Sequence, residues 1–557
     1  MYPANYPLKK PRKISQQSIG LDMTGNEGDS THLASGKQGM VSSAHPLATE
    51  AGLTILRKEG NAFDASVAIA ATLNVVEPMM SGIGGYGTIL VHDAVQGKSS
   101  YVNSSDRIPR GVDSDLFRSP TISFEANRRG AMAVSTPGNV RAWLALSETY
   151  GKLRWGDLFK PAINLALNGF TINRHLSRFL QRDFAYFPTH AQEIYGHNGR
   201  PYQVGERLAQ HDLARSLSQI AKKGPDTFYG GSIGRQIVSS VRAAGGFLAQ
   251  VDLDQCVAEW WDPIRIPYRG HHICTASPPA TSFAALIRLG LMSQFDVGSL
   301  GHNSPEMLHL FAEVTKHAYR CRLQYAADPE VETVPLAELL SPEYWRKVAT
   351  RLNRREAEPF ISLSEKPEYN QHTTHFVVAD KEGNIVSATQ TLGQAFGSRI
   401  MPTGTGIWLN NSLQYCTFEP KGNRMDAHAG RHKLSGDCPV IIYRDGIPWA
   451  ALGTPGGHTI PQIVPQMAMN LIDFGMNMAQ AIAQPRISFA EPDKLLVDAG
   501  LAAETKVKLA ARGHSVQDYD EGYWNAHGLT IAYDGSKQPI YYSGAADPRG
   551  EGLARGL

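Results

Sequence analysis

The stretch from Thr373 to Thr391 constrains this chain more than any other, because it reads as a β-hairpin that begins on a threonine. Thr373-Thr374-His375-Phe376-Val377-Val378-Ala379 is rich in β-branched and aromatic residues, and Ile385-Val386-Ser387-Ala388-Thr389-Gln390-Thr391 is the returning strand. Asp380 to Asn384 turns between them through a three-residue Lys381-Glu382-Gly383 loop, with Gly383 at the left-handed position of a bulged turn. That register sets Thr373 across from Thr391, two hydroxyls within reach on one face. Immediately upstream, Glu356 to Gln371 is charged, contains Pro359 and Pro367 and has no apolar period, which predicts an exposed loop. A flexible loop abutting a threonine-initiated strand suits a chain cut at the junction, although facing threonines also occur as plain sheet decoration.

The chemistry that uses such a pair is specific. A threonine hydroxyl is a poor nucleophile until a base takes its proton, and a free α-amine on the same residue, with a pKa of about 7.7–8.0, is such a base. Thr373 has a free amine only once the His372–Thr373 bond is cut, so the intact chain is expected to be a proenzyme that attacks its own preceding carbonyl. Thr391 would orient the attacking hydroxyl. Acyl transfer also needs donors for the tetrahedral oxyanion. Gly453-Thr454-Pro455-Gly456-Gly457, after the strand-like run Pro448 to Leu452, can aim two backbone N–H groups at one oxygen, or can be a simple glycine turn.

Elsewhere the pattern mixes helices and strands. Pro46 to Lys58 has helical spacing and stops at Gly60, and Ala62 to Val76 predicts a second, more deeply buried helix. Gly82-Ile83-Gly84-Gly85-Tyr86-Gly87 matches a dinucleotide-binding motif by letters only, because a helix precedes it and the strand-like Thr88 to Val91 follows. From Gly138 to about Leu352 the chain predicts mostly helix, for example Trp155 to Leu167 and Met307 to Tyr325.

Composition removes several function classes. At 557 residues, 42% hydrophobic and 19% charged, the chain can bury a large core or two packed segments. Its net charge is +2, and beyond the short Lys9-Lys10-Pro11-Arg12-Lys13 arm it has no basic run, so no nucleic-acid partner is expected and a small ligand is. Cys256, Cys274, Cys321, Cys416 and Cys438 have no paired spacing and are expected as reduced, buried thiols. No apolar targeting segment follows the polar N-terminal arm, residues 1–38, which is expected to be flexible, and no run is long and apolar enough for a membrane. A cytoplasmic protein without a membrane partner is the expectation. His271-His272 is adjacent and no ligand-spaced cluster stands out, so neither metal nor other cofactor is expected.

Ordered segments along nearly the whole chain resemble the γ-glutamyltransferase (glutathione hydrolase) family. Ala44-His45-Pro46-Leu47-Ala48 through Gly60-Asn61-Ala62-Phe63-Asp64-Ala65 resembles its opening helices. Ser135-Thr136-Pro137-Gly138, Tyr150-Gly151-Lys152-Leu153 and Gly224-Pro225-Asp226-Thr227-Phe228-Tyr229 resemble its middle. Thr373-Thr374-His375-Phe376 resembles its cleavage site, while Leu409-Asn410-Asn411 and Gly453-Thr454-Pro455-Gly456-Gly457 resemble its substrate and oxyanion segments. The resemblance implies an α+β, four-layer αββα fold of the N-terminal-nucleophile hydrolases, with a large segment of residues 39–372 and a small one of 373–557 that stay associated after cleavage. It implies Thr373 as nucleophile, Thr391 as its support, Gly456 and Gly457 as oxyanion donors, and Asn411 and Ser435 as substrate contacts.

Several positions depart from the family's pattern. Gly436 replaces the second of two serines that hold the substrate α-carboxylate, and the family's carboxylate-binding arginine falls near Ser105, with Arg107 two residues on as the substitute. Gly393 stands for an asparagine, Ser412 for glutamine or glutamate, and Tyr415 for the aspartate that grips the substrate α-ammonium. Two amidase readings stay open: γ-glutamyl amides such as glutathione, with water or an amine as acceptor, or amides of a carboxylate-ended acyl group without the amine, such as glutaryl. A third, a non-catalytic or nucleotide-binding protein reusing the fold, has Thr373, Thr391, Gly456 and Gly457 against it.

Overall fold

The computed structural model describes residues 33–104, 107–118, 124–361, 372–519 and 525–557. Two seven-stranded antiparallel sheets face each other, and helices cover both outer faces. In the first sheet the strand order is Leu553–Gly556, Gly39–Ser43, His372–Asp380, Ile385–Gly393, Tyr86–Asp93, Lys98–Asn103 and Glu259–Trp261. In the second it is Ala34–Gly36, Pro539–Ala546, His527–Tyr533, Ile447–Gly453, Val440–Arg444, His271–Thr275 and Ile264–Tyr268. Each sheet therefore draws strands from both sides of the His372–Thr373 junction.

Four layers need three apolar interfaces, and the side-chain alternation along the central strands supplies them. Phe376, Val378, Val386 and Ala388 point to the outer face and join the core under the helices Pro46–Arg57 and Ala62–Val76. Val377, Ala379 and Ile385 point inward, where they meet Ile441, Ala451 and Leu529 of the second sheet. Beyond that sheet, Ile442, Ala450 and Leu452 pack under the helices Phe283–Met292, Pro305–Tyr325 and Ile460–Ile472. Odd-numbered residues of the hairpin thus face the space between the sheets, and Thr373 and Thr391 are both odd. The architecture is the expected αββα sandwich.

The helices Pro46–Arg57, Ala62–Val76 and Pro305–Tyr325 form where their spacing predicts, and all fifteen residues of the second are buried. Trp155 to Leu167 differs: it is two helices, Trp155–Leu158 and Lys160–Asn168. Pro161 sits at the second position of the latter, where its missing N–H costs nothing, and it cannot continue the former. The stretch expected as mostly helical also contains the strands Glu259–Trp261, Ile264–Tyr268 and His271–Thr275.

Two loop expectations change as well. Ala34–Gly36, assigned to a flexible arm, is an edge strand paired with Tyr542 to Gly544, and Lys37 and Gln38 donate to the Leu557 carbonyl. Residues 1–32 lie outside those described. In the loop before Thr373, residues 362–371 also lie outside, but Phe360 is buried, packed against Phe489 and Tyr319 rather than exposed. None of the five cysteines is in a disulfide and all are buried. Among the described residues no helix is long and apolar enough to cross a membrane.

Candidate active site

The hairpin pairs as its sequence predicts from Thr374↔Gln390 to Ala379↔Ile385, and Gly383 has a φ of +88° in the turn. Asp380 fixes that turn: its carboxylate accepts from the N–H groups of Glu382 and Asn384, and at 2.8 Å from Ala62 N–H, the first residue of the buried helix. At the other end the register slips by one residue, so that His372 lies opposite Gly393. Gly393 takes up the slip with a φ of +102°, and the place of a β-carbon there is filled by Asn411 Oδ1, 2.1 Å away. This glycine is thus required by the bulge, and no asparagine side chain is possible there without rearrangement.

The slip brings two oxygens and one N–H onto the Thr391 hydroxyl. The Thr373 hydroxyl donates to Thr391 Oγ1 at 3.3 Å, Thr391 Oγ1 donates to the His372 carbonyl at 2.6 Å, and Gly393 N–H donates to Thr391 Oγ1 at 2.7 Å. One hydroxyl therefore touches both the candidate nucleophile and the carbonyl it would attack. On the outer face Thr374 donates to Glu77 at 2.8 Å, and burial pushes that carboxyl up to about 8.

Glycines let the surrounding backbone close on this strand. A β-carbon on Gly85 would lie 2.3 Å from the Thr391 carbonyl, and one on Gly87 2.3 Å from that of Thr389. The glycine run is therefore a packing surface behind the strand Ile385–Gly393, with the strand Tyr86–Asp93 starting inside it. Across the sandwich, the strand Ile447–Gly453 ends against His375, whose ring leaves no room for a β-carbon on Gly453. Burial holds that imidazole well below its ordinary pKa, and its Nδ1 is 2.9 Å from the Thr389 hydroxyl. The loop to Gly456 and Gly457 starts there, beside the face that carries Thr373. Gly456 has a φ of +129° and Gly457 of +55°, and neither N–H takes part in a turn or loop hydrogen bond among the described residues.

The expected substrate contacts divide into two groups. Asn411 acts as a brace: its Oδ1 accepts from Gln394 N–H at 2.8 Å and its Nδ2 donates to the Arg128 carbonyl at 2.6 Å. Ser412 is fully buried with its N–H on Asn410 Oδ1. Ser435 and Gly436 lie directly under the glycine loop, since a β-carbon on Gly436 would come within 2.5 Å of the Gly457 carbonyl. Tyr415 is buried edge-on to both Tyr86 and His458, with ring centroids 6.5 and 5.3 Å apart. Arg107 points into an ion cluster instead, 2.9 Å from Glu330 and 3.3 Å from Glu259. His432 completes that cluster. Burial works against its charge, but hydrogen bonds to Asp328 and Glu259 raise it to about 9.

Two features escape sequence reasoning. Lys433 is fully buried with its ammonium 3.0 Å from the centre of the Tyr86 ring, and Tyr86 is the strand partner of Thr391. Asp437, which accepts from Thr88 at 3.2 Å, lies close enough to feel that charge, yet burial still pushes it up to about 7. Only the pairing of Tyr86–Asp93 against the hairpin brings Tyr86 across from Thr391. The second is His309, Glu313 and His514, whose ligand-type atoms lie within 4.8 Å of one another. The first two are one helical turn apart, a spacing the sequence does contain. They are already engaged, His309 between His514 and the Asn353 carbonyl, and Glu313 with Lys316.

Thr391→Val keeps the shape and removes the shared hydroxyl. Turnover is expected to fall by about one to two powers of ten, from an orienting hydrogen bond of about 1–3 kcal/mol, and self-cleavage to slow with it. Steady-state rates on fully cleaved protein check this, and wild-type turnover there would remove Thr391 from the chemistry.

Comparison with known proteins agrees with this geometry. A gamma-glutamyltranspeptidase family model matches residues 48–557. The glutathione hydrolase proenzyme of Bacillus subtilis (strain 168) is 32% identical, covering 100% of this chain and 95% of that protein. Acylase ACY 1 proenzyme of Pseudomonas sp. (strain SE83) is 34% identical, covering 87% and 88%. The crystal structure of cephalosporin acylase from Bacillus halodurans superposes with a TM-score of 0.86 at 27% identity, over 98% and 99% of the two chains. A match of this length on this fold means that the chain belongs to the gamma-glutamyltranspeptidase family and is an amidase of the N-terminal-nucleophile type.

Proposed function

We propose that the chain cuts itself between His372 and Thr373, and that the freed Thr373 then cleaves amides whose acyl group ends in a carboxylate. The observation that carries this reading is the Thr391 hydroxyl, 3.3 Å from the Thr373 hydroxyl and 2.6 Å from the His372 carbonyl. Attack of Thr373 Oγ1 on the His372 carbonyl carbon forms an ester, and the C–N bond breaks as the nitrogen takes a proton and becomes the α-amine. Thr391 steadies the oxyanion in that step. Water then hydrolyses the ester and releases the upstream segment. In the cut protein Thr391 turns to the nucleophile alone, and the α-amine becomes its base. Gly456 and Gly457 offer N–H groups to the oxyanion formed on substrate. Both sheets take strands from the two segments, which supports their staying associated.

Two acyl groups compete for the pocket. γ-Glutamyl amides, with glutathione among them, are suggested by relatives named glutathione hydrolase proenzyme. The surroundings of Tyr415 favour dicarboxylic monoamides of the glutaryl type. A phenol edge-on to Tyr86 and His458 stands where the family's aspartate would meet an ammonium, and it offers no formal charge at neutral pH. A charge-assisted hydrogen bond of about 1.5–3 kcal/mol is forgone. Tyr415→Asp is accordingly expected to raise the ratio of γ-glutamyl to glutaryl kcat/KM by about tenfold or more. Assays with the two p-nitroanilides decide it. An unchanged ratio, or a wild type that already prefers γ-glutamyl by about a hundredfold, defeats the glutaryl reading.

A further inference from the structure

We infer that His309, Glu313 and His514 form a binding site for a divalent transition cation, zinc by its ligand set, that ties the two segments of the chain together. Ligand-type atoms of the three side chains lie within 4.8 Å of one another, and all three residues are buried. His309 and Glu313 stand one turn apart on the helix Pro305–Tyr325, which puts both on one face, and His514 arrives from the turn after the helix Ala503–Ala511. The first two precede the His372–Thr373 bond and the third follows it. His309 and His514 are 205 residues apart, which is why no ligand-spaced cluster stands out in the sequence. Two imidazoles and a carboxylate make a set that zinc takes, whereas calcium and magnesium want oxygens alone.

The surrounding contacts prepare each ligand. His309 Nε2 lies 3.0 Å from the Asn353 carbonyl, which can only accept, so that nitrogen carries the proton and Nδ1 turns its lone pair inward. A carbonyl on the far nitrogen is the common support of a metal-bound histidine. His514 Nε2 is 2.8 Å from His309 Nδ1 and donates its proton to it. An ion takes that proton's place: the His514 ring carries its proton on Nδ1 instead, and the two nitrogens part to about 3.3 Å, as two bonds of about 2.0–2.1 Å at a tetrahedral centre require. Burial lowers both histidines, His514 to about 3, which keeps the rings in the neutral form that binds metal. Glu313 supplies the charge. Its Oε2 is braced by Glu358 N–H at 3.2 Å, while its buried Oε1 has the Lys316 ammonium at 3.3 Å at an angle that makes no hydrogen bond. Lys316 opposes a cation, but Asp493 at 3.3 Å and the Glu358 carbonyl at 2.7 Å hold it on their own side, and Arg512 is paired with Glu306 at 2.6 Å. Arg354, Arg355, Gly513 and Ser515 are exposed, so the site lies one side chain below the surface, within reach of an ion through a small opening of this turn.

The test uses the full-length protein, stripped with a chelator and dialysed. Zinc titrated against a competing indicator is expected to fill this site once per chain, and zinc at about a hundredfold above its Kd to raise Tm by about 2 °C, with no such rise from calcium or magnesium. His309→Gln, His514→Gln and Glu313→Gln are each expected to weaken that equivalent at least about a hundredfold. Cobalt reads the ligand set in the wild type without any variant, through the intense visible absorption of a four-coordinate ion. A wild type that binds no more zinc than His514→Gln, or whose cobalt spectrum is the weak one of a six-coordinate ion, overturns the site. The tie between segments rests on the cleavage argued above, whereas binding does not, so uncut Thr373→Ala is expected to take up the same equivalent. In the cut protein zinc is expected to raise the urea concentration at which the two segments separate, and His514→Gln to cancel that rise. Zinc uptake with no change in that concentration overturns the tie. A wild type that stays uncut and still binds zinc faults the cleavage reading and supports the site.

Discussion

Thr373→Ala is expected to purify as one uncut chain of 60.8 kDa and to lose at least about four powers of ten in amidase activity. The alanine keeps the strand, because Thr373 contributes no core packing beyond its methyl and the hairpin is held by Asp380 and the inter-sheet residues. What it removes is the hydroxyl that attacks the His372 carbonyl, and with it the later acyl acceptor. One substitution thus abolishes two reactions that share an atom. Thr373→Ser retains a hydroxyl and is expected to cut slowly, since the lost methyl frees its rotamers. A gel and an anilide assay check both variants. Turnover in Thr373→Ala within about a hundredfold of wild type would place the nucleophile elsewhere.

Gly456→Ala has the second largest expected effect, about 10²–10³ in kcat with complete self-cleavage. At a φ of +129° an L-residue is strained, so the loop must rotate, and rotation carries the N–H groups of residues 456 and 457 off the oxyanion. Self-cleavage is spared because the His372 carbonyl already has a donor in Thr391. Substrate affinity should change little, as the donors act on charge that develops only in the transition state. A variant that loses affinity and keeps kcat would mean that the loop binds the ground-state amide. A variant that fails to cut would mean that the loop serves both reactions.

The hairpin shows how far local pattern carries the reading. Its β-branched runs and the loop with Gly383 determine pairing for six residue pairs, because period-two alternation leaves one register that buries Phe376, Val378, Val386 and Ala388 together. The bulge at Thr373 is set from outside the hairpin, by Asn411 filling the space beside Gly393. Tyr86 reads as a residue in a glycine run until the strand Tyr86–Asp93 pairs with the hairpin and puts it opposite Thr391. Arg107 illustrates the opposite error. Its charge and position suggest a carboxylate ligand, yet Glu259 and Glu330, far off in sequence, take up its guanidinium. Lys433 has no local signature at all, since neither helix nor strand period marks it and long-range packing sets its ammonium over the Tyr86 ring. The site's backbone chemistry is thus written locally, whereas its specificity depends on long-range packing.

If Thr373 becomes an N-terminal residue, N-terminal sequencing and the intact mass of the purified wild-type protein reveal it. Two co-purifying chains are expected, the smaller beginning Thr373-Thr374-His375-Phe376. A fully active preparation that remains a single intact chain, or one cut at another bond, would contradict it.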